Sequence, residues 1–271
     1  EMIKRYRTTV FRFAGSNTPG FLKKEIAEEL IKEGLDIKYT TFGHVGDDVR
    51  DFELLKESGC YSLFFGIESG SQRILEESIN KLSGGRFVKI QQIIAAINIC
   101  KKAGIYTVGS VIIPAPLETE ETKKESLDLL LNRIKIDSVL VSLPGVVLGT
   151  EWERNHEKYN IVYLNPETFD KDLMIYKIKL LAPPILWDPF PYKINGKPFK
   201  EYAKESNDFA QALEENGILT QAPDEMLLMA HLAEMPAREF RDRMRQCFSL
   251  GNYKELKKII GKINYNSFFT E

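Results

Sequence analysis

The chain has few of the residues that metal-binding and secreted proteins need. It contains only three cysteines, Cys60, Cys100 and Cys247, and their wide spacing excludes a disulfide framework and a compact cysteine metal motif. Its three histidines are scattered, without the usual zinc spacings. We therefore predict no metal ligands in this chain, and a reducing, cytoplasmic setting.

Charge of one sign and long apolar runs are missing too. The formal net charge is -2, which gives no reason to expect nucleic acid or an anionic membrane as a partner. No apolar run approaches the roughly 20 residues that span a bilayer, and the charged first residues do not resemble a secretion signal. The composition is that of a packed globular protein, and small molecules are its expected partners.

Strand and helix patterns alternate over the first 150 residues. Runs rich in β-branched and aromatic residues predict strands at 9–13, 37–42, 61–67, 106–113 and 138–142. Helical patterns lie between these runs, and several end at a glycine. Repeated βα units of about 30 residues imply a parallel sheet with right-handed crossovers. The periodicity fits both a barrel and an open doubly wound sheet.

The sequence changes character after Thr150. Residues 151–200 contain six prolines and both tryptophans, and they are too apolar to be disordered. From residue 201 onward the pattern is all helical. We therefore predict a βα region at 1–150, an ordered arm at 151–200 and a small helical extension at 201–271.

The segment 61–71 predicts a ligand site. A buried strand ends there in Glu68, Ser69 and Gly70, and a helix pattern follows at once. Polar groups at the carboxyl ends of parallel strands are where sheets and barrels bind small molecules. Glu68 and Ser69 could bond a ribose hydroxyl or an amino group there. The same two residue types also suit a helix N-terminus without any ligand.

An ordered series of short motifs resembles a known family. The series runs through Gly59-Cys60, Gly66-Ile-Glu-Ser-Gly-Ser71, Asn80-Lys81, Ala103-Gly104, Ile112-Ile-Pro-Ala-Pro-Leu-Glu-Thr119, Pro144 and Gly149-Thr150. It resembles the radical S-adenosylmethionine (radical SAM) enzymes, in the branch often linked to a cobalamin-binding domain, over about residues 1–155. The resemblance implies an α/β fold: a partial (β/α)6 TIM-like barrel of parallel strands, followed by the proline-rich arm and a small helical C-terminal region.

The resemblance also implies cofactor-binding residues. Glu68 and Ser69 match positions that contact S-adenosylmethionine at the fourth barrel strand. Ser110 and Ile112 lie in the fifth-strand region that flanks the adenine. Leu148 belongs to the sixth-strand motif near the adenosyl group.

The sequence departs from the family pattern at three places. Gly15-Ser16 replaces the acidic pair that often ends the second strand. Pro114 and Leu117 occupy positions where the family has glycine, and Leu148 replaces a proline. These departures bear on the individual cofactor contacts rather than on the barrel.

Four further residues are predicted on the substrate side. Arg12 lies in an otherwise apolar strand and, if it points inward, needs a carboxylate partner, for which Glu68 is one candidate. His44 follows a predicted strand, where it could bind substrate or relay a proton, or simply mark a helix start. Ser16 and Asn17 belong to a βα loop expected to line the site.

The family's chemistry is the reductive cleavage of S-adenosylmethionine at a 4Fe–4S cluster, followed in many cobalamin-linked members by methyl transfer. The family's CxxxCxxC loop would precede Glu1. The chain is therefore predicted to be the C-terminal portion of such an enzyme, inactive by itself. The implied cofactors are S-adenosylmethionine, a 4Fe–4S cluster with ligands outside this chain, and cobalamin.

Two alternatives remain open from the sequence. A cluster-free barrel could act as a binding or scaffold module. An aldolase-like lyase is disfavoured because no lysine ends a predicted strand. An incomplete barrel exposes a strand edge, which predicts either a dimer through that edge or an arm that covers it.

Overall fold

The computed structural model describes residues 1–14, 18–45, 51–179 and 190–268 of the chain. The strands are, in chain order, β1 (Val10–Arg12), β2 (Lys38–Gly43), β3 (Cys60–Glu68), β4 (Leu82–Ser83), β5 (Arg86–Phe87), β6 (Tyr106–Ile112), β7 (Ser138–Ser142), β8 (Ile161–Tyr163), β9 (Tyr192–Ile194) and β10 (Leu219–Thr220). The helices are α1 (Met2–Tyr6), α2 (Gly20–Lys32), α3 (Phe52–Glu57), α4 (Gln72–Glu77), α5 (Ile90–Lys102), α6 (Glu120–Asp128), α7 (Glu151–Arg154), α8 (Phe169–Lys179), α9 (Phe199–Glu215), α10 (Asp224–Leu232), α11 (Ala237–Leu250) and α12 (Tyr253–Asn266). Among these described helices, none is long and apolar enough to cross a membrane.

Six parallel strands form the main sheet in the order β1-β2-β3-β6-β7-β10. This order follows the chain without reversal, whereas a doubly wound sheet reverses its order at a switch point. The sheet order therefore selects the barrel type that periodicity left open. The prediction of a parallel α/β sheet is confirmed.

Two local predictions need correction. The region after residue 200 is not all helical, because β10 joins the sheet beside β7. The polar connection after α4 contains the antiparallel hairpin β4–β5, whose turn residues Gly84 and Gly85 both have positive φ, as tight hairpins require. Strands of two residues are too short to leave a periodic signal in a sequence.

One face of the sheet packs against the connecting helices. Leu63, Phe65 and Ile67 of β3 point to this face, since alternate strand residues share a side. They are buried in the largest core cluster together with Leu55 of α3 and Ile93 of α5. Each such side chain contributes about 1.5–3 kcal/mol by leaving water, so this layer holds the βα units together.

The opposite face, which we call the inner face, is covered only in part. Helix α10 contacts β2, β3 and β6, and under it Thr40, Ser62 and Val108 are fully buried. Toward the carboxyl ends of the strands, Gly66 and Ser110 on the same face are only half-buried. The part of the inner face near the carboxyl ends of the strands, around Gly66 and Ser110, is therefore accessible to a ligand. We call it the open part of the inner face.

The arm packs on loops at the carboxyl ends of the strands. Its strands β8 and β9 pair antiparallel, and its buried aromatic residues, including Phe190 and Tyr192, share one cluster with Val146 of the loop after β7. At the β1 edge, Thr8 instead bridges to Phe268 of the C-terminal segment. Within the described residues, the segment that ends at Phe268, and not the arm, thus lies beside β1. Pairing of that edge with a second copy stays a prediction.

Candidate functional site

Glu68 ends β3 at the open part of the inner face. Its φ is 69°, in the left-handed region that residues other than glycine rarely adopt. The register with β6 shifts between Gly66 and Glu68, and this bulge turns the Glu68 carboxylate back over Gly66. A Cβ added to Gly66 would lie 2.3 Å from Oε1 of Glu68. Glycine at position 66 therefore provides the space that the carboxylate occupies.

Lys81 faces the same carboxylate. Its Nζ lies 3.9 Å from Oε1 of Glu68, and the side chains of Glu68 and Lys81 are 23% and 14% exposed to solvent. Burial raises the pKa of Glu68, and the positive charge of Lys81 opposes this shift. Burial lowers the pKa of Lys81, and Glu68 opposes it. At 3.9 Å the two groups attract without a direct hydrogen bond, so each keeps capacity for a polar ligand.

Lys81 was not predicted as a site residue, because Asn80-Lys81 stood out only as part of the motif series. The available signal was a lysine shortly after a carboxylate at a strand end. Its placement depends on the turn after α4, where the Lys81 amide donates to the Leu75 carbonyl at 2.8 Å. A local hydrogen bond thus brings the two charges together.

Ser110 and Ile112 lie next to this pair on β6. Ser110 is in register with Gly66 on one side and with Leu140 on the other. Ile112 is two residues further along, so its side chain points to the same face, and both residues are half-buried. A carboxylate, a hydroxyl and an apolar side chain therefore lie side by side at the rim.

Ser69 is fully buried, and its hydroxyl has partners within the protein. Its Oγ lies 3.2 Å from Oγ of Ser126 and accepts from the Ser71 amide at 3.1 Å. Oγ of Ser126 also accepts from the Gly70 amide at 2.9 Å. These bonds join the end of β3 to α6, and a role of Ser69 in cofactor binding stays a prediction.

Arg12 points inward, but the suggested pairing with Glu68 is wrong. Its Nη2 lies 3.2 Å from Oδ1 of Asp224 and 3.3 Å from Oε2 of Glu225. Both carboxylates begin α10, and burial raises the pKa of Asp224 to about 6. Ser62 donates to the Asp224 carbonyl at 3.0 Å. The first turn of α10 therefore forms the floor below the open part of the inner face. No sequence pattern indicates that a residue more than 200 positions from Arg12 supplies this partner.

The remaining predicted residues are placed as follows. His44 directly follows β2 and is half-buried. Leu148 packs against the aromatic cluster of the arm. Ser16 and Asn17 lie outside the described residues. The roles predicted for all four stay predictions.

The residues of this chain do not fit an iron–sulfur cluster. Such clusters are held by cysteine thiolates, whereas Cys60, Cys100 and Cys247 are free, buried and far apart in sequence. Burial raises the pKa of Cys60 to about 12. Within the described part of the chain, no group of three or more histidine, cysteine or acidic residues could hold a metal ion.

Glu118, in the loop after β6, gives a pH-dependent prediction. Burial raises its pKa to about 8, although Oε2 accepts from the Ala115 amide at 2.8 Å. Because the folded pKa exceeds the unfolded value, this group lowers stability as pH rises from about 4.5 to 8, by up to about 1.4 kcal/mol per pH unit. Urea unfolding of Glu118→Gln should match wild type near pH 5 and exceed it by a few kcal/mol at pH 9. The exposed Glu121→Gln is the matched control. An equal slope in all three proteins between pH 5 and 9 would contradict this account.

Parallel strands in chain order define a barrel-type α/β domain, and the polar groups at their carboxyl ends mark its rim as the candidate small-molecule site. Comparison with known proteins identifies the class more closely. The sequence model of the Radical SAM superfamily matches residues 1–130. The resemblance to radical SAM enzymes that the sequence motifs indicated is confirmed by this match.

Two curated relatives each match about half of the chain. An uncharacterized methyltransferase of Pyrococcus horikoshii is 34% identical over 131 residues, which are 48% of this chain and 27% of the relative. A protein of Methanocaldococcus jannaschii, provisionally named a methylthiotransferase, is 28% identical over 130 residues, again 48% of this chain and 27% of the relative. The matched part therefore spans about a quarter of the length of these relatives.

One solved structure resembles nearly the whole chain. The radical S-adenosylmethionine methyltransferase TsrM of Kitasatospora setae, with cobalamin and a 4Fe–4S cluster bound, superposes with a TM-score of 0.60. The alignment has 12% identity and covers 92% of this chain and 54% of TsrM. At this identity the likeness concerns the fold alone, and it confirms the partial TIM-like barrel.

Proposed function

We propose that this chain is the C-terminal portion of a radical SAM enzyme and that it forms the adenosyl-binding part of the active site. The observation that carries the proposal is the Glu68 carboxylate, folded over Gly66 beside Ser110 and Ile112 on the open part of the inner face. The match of residues 1–130 to the Radical SAM superfamily model supports it.

The residues at the rim suit an adenosyl group chemically. The Glu68 carboxylate is an acceptor for ribose hydroxyls, and partial burial strengthens such hydrogen bonds. The Lys81 ammonium is a donor for a carboxylate such as that of the methionyl group. Ile112 offers an apolar surface for a base. These three groups differ in kind, so they would orient the ligand as well as bind it.

When bound at a reduced cluster, S-adenosylmethionine supplies a radical by cleavage of a carbon–sulfur bond. The residues described here would bind and orient the adenosyl group, while α10 and the arm exclude water from below and from the side. The cluster ligands are proposed to come from outside this chain, because its own cysteines do not fit the task. The chain alone is accordingly proposed to be inactive.

Methyl transfer with cobalamin is the finer part of the proposal. Its support is the fold shared with TsrM and the name of the relative from Pyrococcus horikoshii. TsrM and this relative are both longer than the part that matches this chain. A cytoplasmic location is proposed on the cysteine usage alone.

Calorimetric titration with S-adenosylhomocysteine tests the adenosyl site directly. This ligand keeps the ribose and the methionyl carboxylate but needs no cluster chemistry. We expect wild type to bind it, and Glu68→Gln to weaken binding about tenfold, since a charged acceptor is lost. Glu77→Gln, which changes an exposed glutamate of α4, is the matched control and should bind like wild type.

The titration also separates the two classes of function. Absence of binding to the wild-type chain, with the fold intact by circular dichroism, would favour the cluster-free scaffold module. For a longer protein that contains this chain, anaerobic reconstitution should produce absorbance near ~400 nm if thiolates hold an iron–sulfur cluster. A longer protein that remains colourless would contradict the proposal that this chain is part of a radical SAM enzyme.

A further inference from the structure

The arm makes paired hydrogen bonds to two loops at the rim of the site. Asn195 accepts from the Leu117 amide at 2.9 Å and donates to the Ala115 carbonyl at 3.0 Å. The hydroxyl of Tyr192 donates to the Pro144 carbonyl at 3.0 Å and accepts from the Val146 amide at 3.1 Å. Each side chain therefore bonds two backbone groups of one loop, which fixes position and orientation together.

A third contact joins the arm to the segment between Glu68 and Lys81. Nε1 of Trp152 donates to the Ser78 carbonyl at 2.7 Å. Ser78 directly follows α4 and precedes Lys81 by three residues. The arm thus bonds the segments that follow β3, β6 and β7, which are the three strands nearest to the candidate site.

Apolar packing supports the same three contacts. Leu117 from the loop after β6, and Leu143 and Leu148 from the loop after β7, pack against the buried aromatic cluster of the arm. Tyr192 is fully buried in that cluster. The apolar residues of the rim loops are therefore buried against the arm, because neither loop is long enough to bury apolar residues by itself.

We propose that Tyr192 and Asn195 are positioning residues for the adenosyl site, acting through the rim loops at 113–118 and 143–150. This rests on the proposed function for the identity of the ligand. The arm is then a frame that holds the loops in the binding geometry, and no ligand contact by the two residues themselves is needed. A ligand-free loop that is already ordered binds with a smaller entropy cost.

Hydrogen exchange of the ligand-free chain tests the frame without reference to any ligand. Tyr192→Phe and Asn195→Asp should each speed amide exchange of their own loop about tenfold, while amides of β3 exchange as in wild type. Tyr163→Phe is the control for the first, since the Tyr163 hydroxyl bonds the Glu153 carbonyl within the arm at 2.8 Å. Asn160→Asp, at another left-handed residue of the arm, is the control for the second.

Titration with S-adenosylhomocysteine then links the loops to the site. The two test variants should weaken binding about threefold to tenfold, which corresponds to one or two net hydrogen bonds, and the two controls should not. Unchanged loop exchange in both test variants would overturn the proposal. So would the same acceleration in the controls, or loss of β3 protection in both test variants, which would assign them a purely structural role. If the wild-type chain does not bind the ligand, the proposed function fails. Amide exchange of the loops then remains as the test of whether the arm holds them in place.

Discussion

Gly66→Ala is expected to weaken binding of S-adenosylhomocysteine at least tenfold while the chain stays folded. The added Cβ would lie 2.3 Å from Oε1 of Glu68, closer than van der Waals contact allows. That oxygen ends a flexible side chain, so it can rotate away at a cost of about 1 kcal/mol or less. The fold survives, but the carboxylate leaves the place where the ligand would meet it.

A double-mutant cycle makes this prediction specific. In a Glu68→Ala background the clash is gone, so adding Gly66→Ala should not reduce affinity further. Calorimetry gives the four dissociation constants, and urea unfolding of the same four proteins gives their stabilities. Additive losses of affinity in the cycle would show that Gly66 acts independently of Glu68 and would contradict the assignment of the site.

Gly70→Ala is expected to lower the free energy of unfolding by about 3 kcal/mol, the range for overpacked buried positions. A Cβ at this position would lie 2.4 Å from Cα of Ser126 and 2.9 Å from the carbonyl oxygen of Glu125. These are backbone atoms of α6, which cannot rotate away as a side chain does. Helix α6 would have to move, and the bond from the Gly70 amide to Ser126 would be strained.

The matched control for this variant is Gly145→Ala. A Cβ on Gly145 meets no atom within 4 Å, so its effect should stay within about 0.5 kcal/mol. Urea unfolding followed by circular dichroism measures both variants. Similar stabilities for the two would mean that α6 does not approach the end of β3 as closely as the structure places it.

Together the two glycines of Gly66-Ile-Glu-Ser-Gly70 explain how one short segment serves both the candidate site and the fold. The first glycine makes room for the Glu68 carboxylate on the open part of the inner face. The second lets a helix approach from the opposite layer. From the sequence, this segment was predicted to bind a ligand or, alternatively, to cap a helix. The structure shows Ser69 and Gly70 bonded to Ser126 of α6, while Glu68 lies at the open part of the inner face.

Helices and strands that are determined by interactions between neighbouring residues were predictable from the sequence alone. The five parallel strands of the βα region and the four C-terminal helices follow from periodicity and from glycine and proline punctuation, which act over a few residues. The position of Glu68 at a strand end followed in the same way, because it depends only on where one apolar run stops.

Contacts between distant segments were decided only by the tertiary structure. Asp224 and Glu225 became the partners of Arg12, β10 joined the sheet, and the arm bonded the rim loops. The sequence alone determined the repeated βα units and a polar strand end, because hydrogen bonding and side-chain alternation along one element fix those. It did not determine which remote segments cover the inner face, because many apolar surfaces are compatible with one another, and only the complete packing selects among them.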